Sequence, residues 1–295
     1  MTKGDAIARM LRWLDEATVN GQPATAEQIA DYKDRAAYML DDVVKFLSGH
    51  FKIPAIYTVT KTPEKNLYNG GFEYHAVTPE KPFIVTGIDG ARSFYIECQG
   101  AMHVDIGGVE FDNEGNGFTA HKGNIPEETE LVSLVVTTEF PCVIRNIALF
   151  EHQFPTDADV PDYVPWVPYT LPDDFREFDC LLQSADCHAY TEYANAQRQG
   201  HKTYLLPYEA QGQFDFHYWR NPETIAPDAP DSTVIEIESK AEQLVPLKLA
   251  VDLTVGVDDT ATISYYLHEK FNYMMANILT EDKGGRLSIE AVYVM

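Results

Sequence analysis

Forty-six aspartate and glutamate side chains are the groups in this sequence best able to do acid–base chemistry. Two sets stand close together: Asp173, Asp174, Glu177, Asp179 and Asp186, and the pair Glu236 and Glu238 on one side of a strand. Glycoside hydrolysis needs two carboxylates converging across a cleft. So many acids guarantee accidental pairs, and neither set sits in a recognisable catalytic turn, so both read as solvated surface. Asp112, Glu114 and Asn116, followed by Gly117, have the oxygen spacing that opens a calcium loop. Lys122 and Gly123 stand where its closing glutamate belongs, so a hairpin turn is expected. The nine histidines are scattered, and there is no GxSxG elbow, P-loop or GxGxxG. Cys98, Cys142, Cys180 and Cys187 form no CxxC pair and read as ordinary thiols rather than zinc ligands. Neither catalytic residue, cofactor nor metal is expected. What remains is a possible sugar-facing surface at Tyr68, Tyr74 and Tyr95, whose rings could stack on pyranoses.

The elements that would position these groups follow from periodicity. Ile7, Met10, Leu11 and Leu14 mark one helix face. Asn20 to Pro23 break it, and Thr25-Ala26-Glu27-Gln28 predicts a capping box for a second helix running to Gly49. From Ile53 the period becomes 2. Seven or eight short strands punctuated by Gly, Asn, Asp and Pro predict an antiparallel β-sandwich, jelly-roll-like, over about residues 70–153. A proline-rich passage, 157–172, carries Trp166 and Tyr169 and is expected to be pinned to a surface. Further strands are expected to Trp219, with a short lead-in strand at Thr233 to Ile237. Ala241 to Val255 reads as an apolar helix with Pro246 in its first turn or at a kink. A last helix carries Ile263, Tyr266, Leu267, Phe271, Met274 and Ile278, and Leu287 to Val294 reads as a final strand or arm. The expected fold is α+β: a discontinuous helical domain, residues 1–65 plus 156–295 with a β segment at about 175–238, interrupted by the sandwich.

The 295 residues suggest about two domains of roughly 150 residues each. Their 22 Lys and Arg against 46 Asp and Glu give a charge of −24. That excess excludes a general nucleic-acid binder, which needs a basic footprint, and disfavours an anionic membrane surface. The sequence shows no signal peptide and no membrane span, which suggests a reducing cytoplasm.

Three stretches carry a resemblance. Glu242-Gln243-Leu244-Val245-Pro246-Leu247-Lys248-Leu249-Ala250, followed by Val251-Asp252-Leu253 and Tyr265-Tyr266-Leu267-His268-Glu269-Lys270-Phe271, resembles the C-terminal helices of tailed-phage head–tail adaptor (connector, or head-completion) proteins. Tyr169-Thr170-Leu171-Pro172-Asp173-Asp174-Phe175 and Phe216-His217-Tyr218-Trp219-Arg220-Asn221-Pro222-Glu223-Thr224-Ile225 are similar to two other stretches of that family. The resemblance covers roughly residues 1–60 and 160–280, and the sandwich departs from the compact adaptors. It implies a non-enzymatic structural protein of phage or prophage, made in the bacterial host cytoplasm and present in the virion. It implies a homo-oligomeric ring on the portal, with tail-side phage proteins as partners and DNA passing through without sequence-specific binding. Leu287, Ile289, Val292, Tyr293 and Val294 would be the arm that contacts the portal. A second expectation, from the sandwich and its aromatics alone, is a carbohydrate-binding or host-surface attachment module.

Overall fold

The computed structural model describes residues 1–16, 25–184, 190–255 and 261–290. The chain is α+β, with four α-helices and several antiparallel sheets among the described residues. It divides into two compact units. The first is Met1–Tyr57, Pro172–Cys180 and Phe216–Met295; the second is Thr58–Leu171 and Leu181–Asp215.

The first unit holds α1 (Lys3–Glu16), α2 (Ala26–Ser48), α3 (Leu244–Thr254) and α4 (Ala261–Glu290). The capping box at α2 forms: Gln28 N donates to Thr25 Oγ1 at 3.3 Å and Thr25 N to Gln28 Oε1 at 2.9 Å. Nine of the eleven residues of α3 are buried, as suits a helix that is apolar all round and packs against α1, α2 and α4. Pro246 stands third in α3, where a missing N–H leaves no hydrogen bond unmade. Met10, Leu40, Leu47, Leu244, Leu247 and Phe271 share one core. The helix begins at Leu244 rather than Ala241, because a 3-10 turn at Ser239–Ala241 precedes it.

Two expectations for this unit change. Thr233 to Ile237 makes only an isolated bridge, Thr2 to Val234, with Ile235 N donating to Met1 O. The chain start thus supplies the partner that a sheet would have supplied. Leu287 and Ile289 are not in a strand: α4 continues through them to Glu290. So short a run carries no period that separates strand from helix. Val292, Tyr293 and Val294 lie outside the described residues.

Fifteen strands are described. β1 (Ile53–Lys61), β15 (Gly212–Arg220), β11 (Phe175–Ser184) and β12 (Tyr190–Glu192) form one sheet in that order. In the second unit, β10 (Trp166–Thr170), β14 (Thr203–Pro207) and β13 (Gln197–Gln199) form a small sheet. Eight strands build two four-stranded sheets there. One has the order β2 (His75–Val77), β9 (Cys142–Phe150), β4 (Ser93–Gln99), β7 (Thr119–Asn124). The other has β3 (Phe83–Asp89), β8 (Leu131–Thr137), β5 (Met102–Ile106), β6 (Val109–Asn113). Phe94, Ile96 and Ile144 of the first sheet and Val104, Leu134 and Val136 of the second share a buried core, the arrangement of a sandwich.

β4 is buried on both faces. Its outward side chain Tyr95 joins Ala148, Phe150, Val160, Tyr163 and Tyr208 in a second core. That burial explains why residues 156–171 and most of 181–215 belong with the sandwich rather than with the helices, where the sequence placed them. At Tyr95/Glu97 the β4–β9 register slips, and Asn146 takes a left-handed φ of 49° opposite the slip.

Candidate functional site

The bulge in β9 leaves the backbone of Ile147 free to bind outside the sheet. Ile147 N donates to Gly71 O at 2.7 Å, and Asn66 Nδ2 donates to Ile147 O at 2.8 Å. Asn66 Oδ1 also accepts from Leu149 N and Tyr68 N, each at 2.9 Å. These bonds pin residues 63–73 as the wall of a groove of about 730 Å3 within the second unit. Asn66, Asn69, Gln211, Glu64, Glu73, Glu209 and Lys65 supply its polar lining, and Tyr68, Phe72, Tyr163 and Tyr208 its rings. Phe72 stacks on Tyr163 at 4.3 Å between centroids, which fixes the floor. Burial raises the phenols of Tyr163 and Tyr208 above their usual range. Behind Tyr208 lies Lys61, 6% exposed, whose ammonium donates to Tyr208 O and sits 5.0 Å over the Tyr208 ring. Burial pushes Lys61 down to about 8. Amide and carboxylate groups set beside ring edges suit a hydroxyl-rich neutral ligand, and no nucleophile–base pair is assembled in this lining.

The three tyrosines expected to form one ligand surface do not meet there. Tyr68 lines the groove, with its hydroxyl 3.3 Å from His75 Nε2. Tyr74, 65% exposed, accepts from Arg145 Nη1 at 2.7 Å. The same guanidinium lies 3.7 Å from the Phe118 centroid and donates through Nε to Glu97 at 2.6 Å. Tyr95 is 3% exposed and donates to Glu97 at 3.0 Å, so it is a core residue and not a sugar platform. A central strand covered on its outer face cannot show its side chains to solvent, and residues 160–163 and 208 do the covering.

The other sequence candidates have structural partners. Asp112 is 2.8 Å from His103 Nδ1, Asn113 binds Gly100 O and His121, and Asn116 O accepts from Gln99. The Asp112 turn therefore closes on its own hairpin. Asp174 accepts from Tyr218, Glu177 pairs with Lys52 at 2.7 Å, and Glu236 takes both Arg220 terminal nitrogens at 2.7 Å. The Arg220 guanidinium holds the Glu236 carboxyl below its usual range. Glu238 lies 3.9 Å from Lys240, and Asp186 and Cys187 lie outside the described residues. Cys98, Cys142 and Cys180 form no disulfide among the described residues, Cys180 Sγ lies 4.0 Å from Asp179 Oδ2, and burial pushes Cys98 up to about 12. Among the described residues, no three His, Cys, Asp or Glu side chains are grouped to hold a metal ion, and no helix is long and apolar enough to cross a membrane.

The helical unit presents a different kind of surface. Tyr265, Tyr266 and Tyr273 of α4 are 71%, 53% and 69% exposed, and Tyr38 of α2 is 65% exposed. A groove of about 310 Å3 is lined by Arg9, Arg12, Trp13, Gln243, Pro246 and Met274. Periodicity marked the buried faces of these helices but not what the remaining faces gather together.

No family model and no curated protein matches the chain. Among solved structures, a de novo designed double-stranded β-helix determined by solution NMR is similar at 12% identity. It covers 33% of this chain and 97% of that chain, with a TM-score of 0.19. A likeness of that size fixes neither fold nor function.

Proposed function

We propose that the chain is a non-enzymatic structural protein of tailed phage or prophage, a head–tail adaptor that assembles as a ring on the portal. The observation that carries this reading is the helical unit: helices from both ends of the sequence pack as one body while four tyrosines stay exposed on α2 and α4. Exposed aromatics gathered on a helical surface are the usual mark of a protein contact. The acidic balance of −24 suits a conduit wall that lets DNA pass without gripping it. We read the two sheet orders β2-β9-β4-β7 and β3-β8-β5-β6 as a jelly roll, added to the adaptor body as a decoration. Residues 287–295 would reach the portal and complete their contacts there.

The test is negative-stain imaging and co-sedimentation of the full chain with a purified tailed-phage portal protein. The expected result is a ring on the portal; no binding at micromolar concentration rejects the adaptor reading. A second reading rests on the polar groove walled by residues 63–73, which would make the chain a glycan-binding attachment protein. A glycan array probed with the full chain and with Gln211→Ala separates the two. Signal that the substitution abolishes favours attachment, and a blank array removes it.

A further inference from the structure

The chain carries about two acids for every base, yet one concave site on the helical unit is cationic. Arg9, Arg12 and Trp13 of α1 line it with Gln243, Pro246 and Met274, and no carboxylate is among these described lining residues. Lys270 of α4 adds a third cation, its ammonium 4.0 Å over the Trp13 ring and 5.7 Å from that of Tyr266. Among the described side chains neither arginine makes an ion pair within 4.0 Å, and Asp5 interacts with Arg9 at longer range. Asp5, one turn before Arg9, is bonded to the Thr2 backbone amide. Arginine beside tryptophan and tyrosine is the composition of an interface centre rather than of an idle surface.

The same unit bears the complement. On α2, Glu27, Asp31, Asp34, Tyr38 and Asp42 recur at i, i+4, i+7, i+11 and i+15, and all are exposed. Successive members lie within one face, so the stripe runs about 22 Å along the helix with an exposed tyrosine between Asp34 and Asp42. Arg35 reaches Asp31 only at 3.6 Å, across exposed surface, which leaves the stripe net acidic.

We infer that the Arg9–Arg12–Trp13 groove receives the acidic α2 stripe of a second copy of this chain. The contact joins two different surfaces, so it is head-to-tail and generates a ring or a filament rather than a closed twofold dimer. It gives the assembly proposed above a specific contact and rests on that reading for its biological setting. Tyr38 would enter the groove as the anchor, with the acids of the stripe facing the guanidinium groups at the rim.

Sedimentation velocity of the full chain at about 100 µM tests this, since a weak contact is populated there. Three chains are compared at low salt: unmodified, groove-reversed (Arg9→Glu with Arg12→Glu) and stripe-reversed (Asp31→Lys with Asp42→Lys). The unmodified chain should form species larger than a dimer, which dissociate as salt rises to about 0.5 M. Each reversed chain should be monomeric. Their equimolar mixture should regain association, because the intact stripe of one meets the intact groove of the other and the two reversed surfaces are again of opposite charge. Melting curves check folding, and Lys270→Glu or Glu27→Lys replaces a variant that no longer melts cooperatively. A monomeric unmodified chain, assembly indifferent to both reversals, or a mixture that stays monomeric overturns the inference. Portal binding without self-association removes this contact and spares the adaptor reading; self-association without portal binding does the reverse.

Discussion

Lys61 is the residue whose burial has the clearest measurable consequence. Folded, it loses its proton at about 8; unfolded, it holds it to about 10.5. Between those values the unfolded chain binds more protons, so the contribution of Lys61 to stability rises with pH across that window. Urea denaturation from pH 8 to 10 should show a gain of about 1–3 kcal/mol that Lys61→Met abolishes. The raised phenols act in the opposite sense: above pH 10 the folded chain holds protons that the unfolded chain releases, and stability falls. Glu97 accepts from both Tyr95 and Arg145. Glu97→Ala should therefore cost about 3 kcal/mol in urea denaturation, by leaving a half-buried guanidinium without its carboxylate. None of this was legible in the sequence. Tyr95 read as a surface ring because alternation along a strand names two faces without saying which of them another segment covers.

At the scale of elements, the groove wall depends on a close approach. A methyl on Gly71 would strike Asn66 Nδ2 and lie 2.6 Å from Tyr163 Oη and 2.7 Å from Ile147 O. Gly71→Ala should destabilise the protein by about 1–3 kcal/mol and, if the glycan reading holds, abolish array signal. Leu247 is fully buried in α3, and Leu247→Ala should cost about 2–5 kcal/mol, read as a lower urea midpoint at 222 nm. Elements with strong local signals were legible: the Thr25–Gln28 box, the first-turn Pro246 and the β-branched runs of the sandwich. Local pattern failed where the partner is distant in sequence. The segment around Val234 meets Thr2 instead of a sheet, and Val160 and Tyr163 meet the outer face of β4.

At the scale of the molecule, the expectation of an α+β chain with helices at both ends was legible, because the change of hydrophobic period marks where helix gives way to strand. The course of the chain between the units was not. It crosses at 57/58, 171/172, 180/181 and 215/216, and β1, β11 and β15 are each divided by a crossing. Composition does not change at those points, so only long-range contacts could place them. A chain ending at Gln243 lacks α3 and α4, leaving Met10, Leu40 and Leu47 without the helix they pack on. Such a chain should bind an apolar dye strongly and aggregate, while the full chain does neither.

That arrangement also sets a timetable during synthesis. α2 ends at Ser48 and α3 begins at Leu244, so the ribosome makes 195 residues between them. At about 5–20 residues per second, the apolar faces of α1 and α2 wait about 10–40 s for their partner. In that interval the whole sandwich leaves the exit tunnel and has time to fold, before the ends of the chain can meet. The earliest helices are thus among the last to be sheltered.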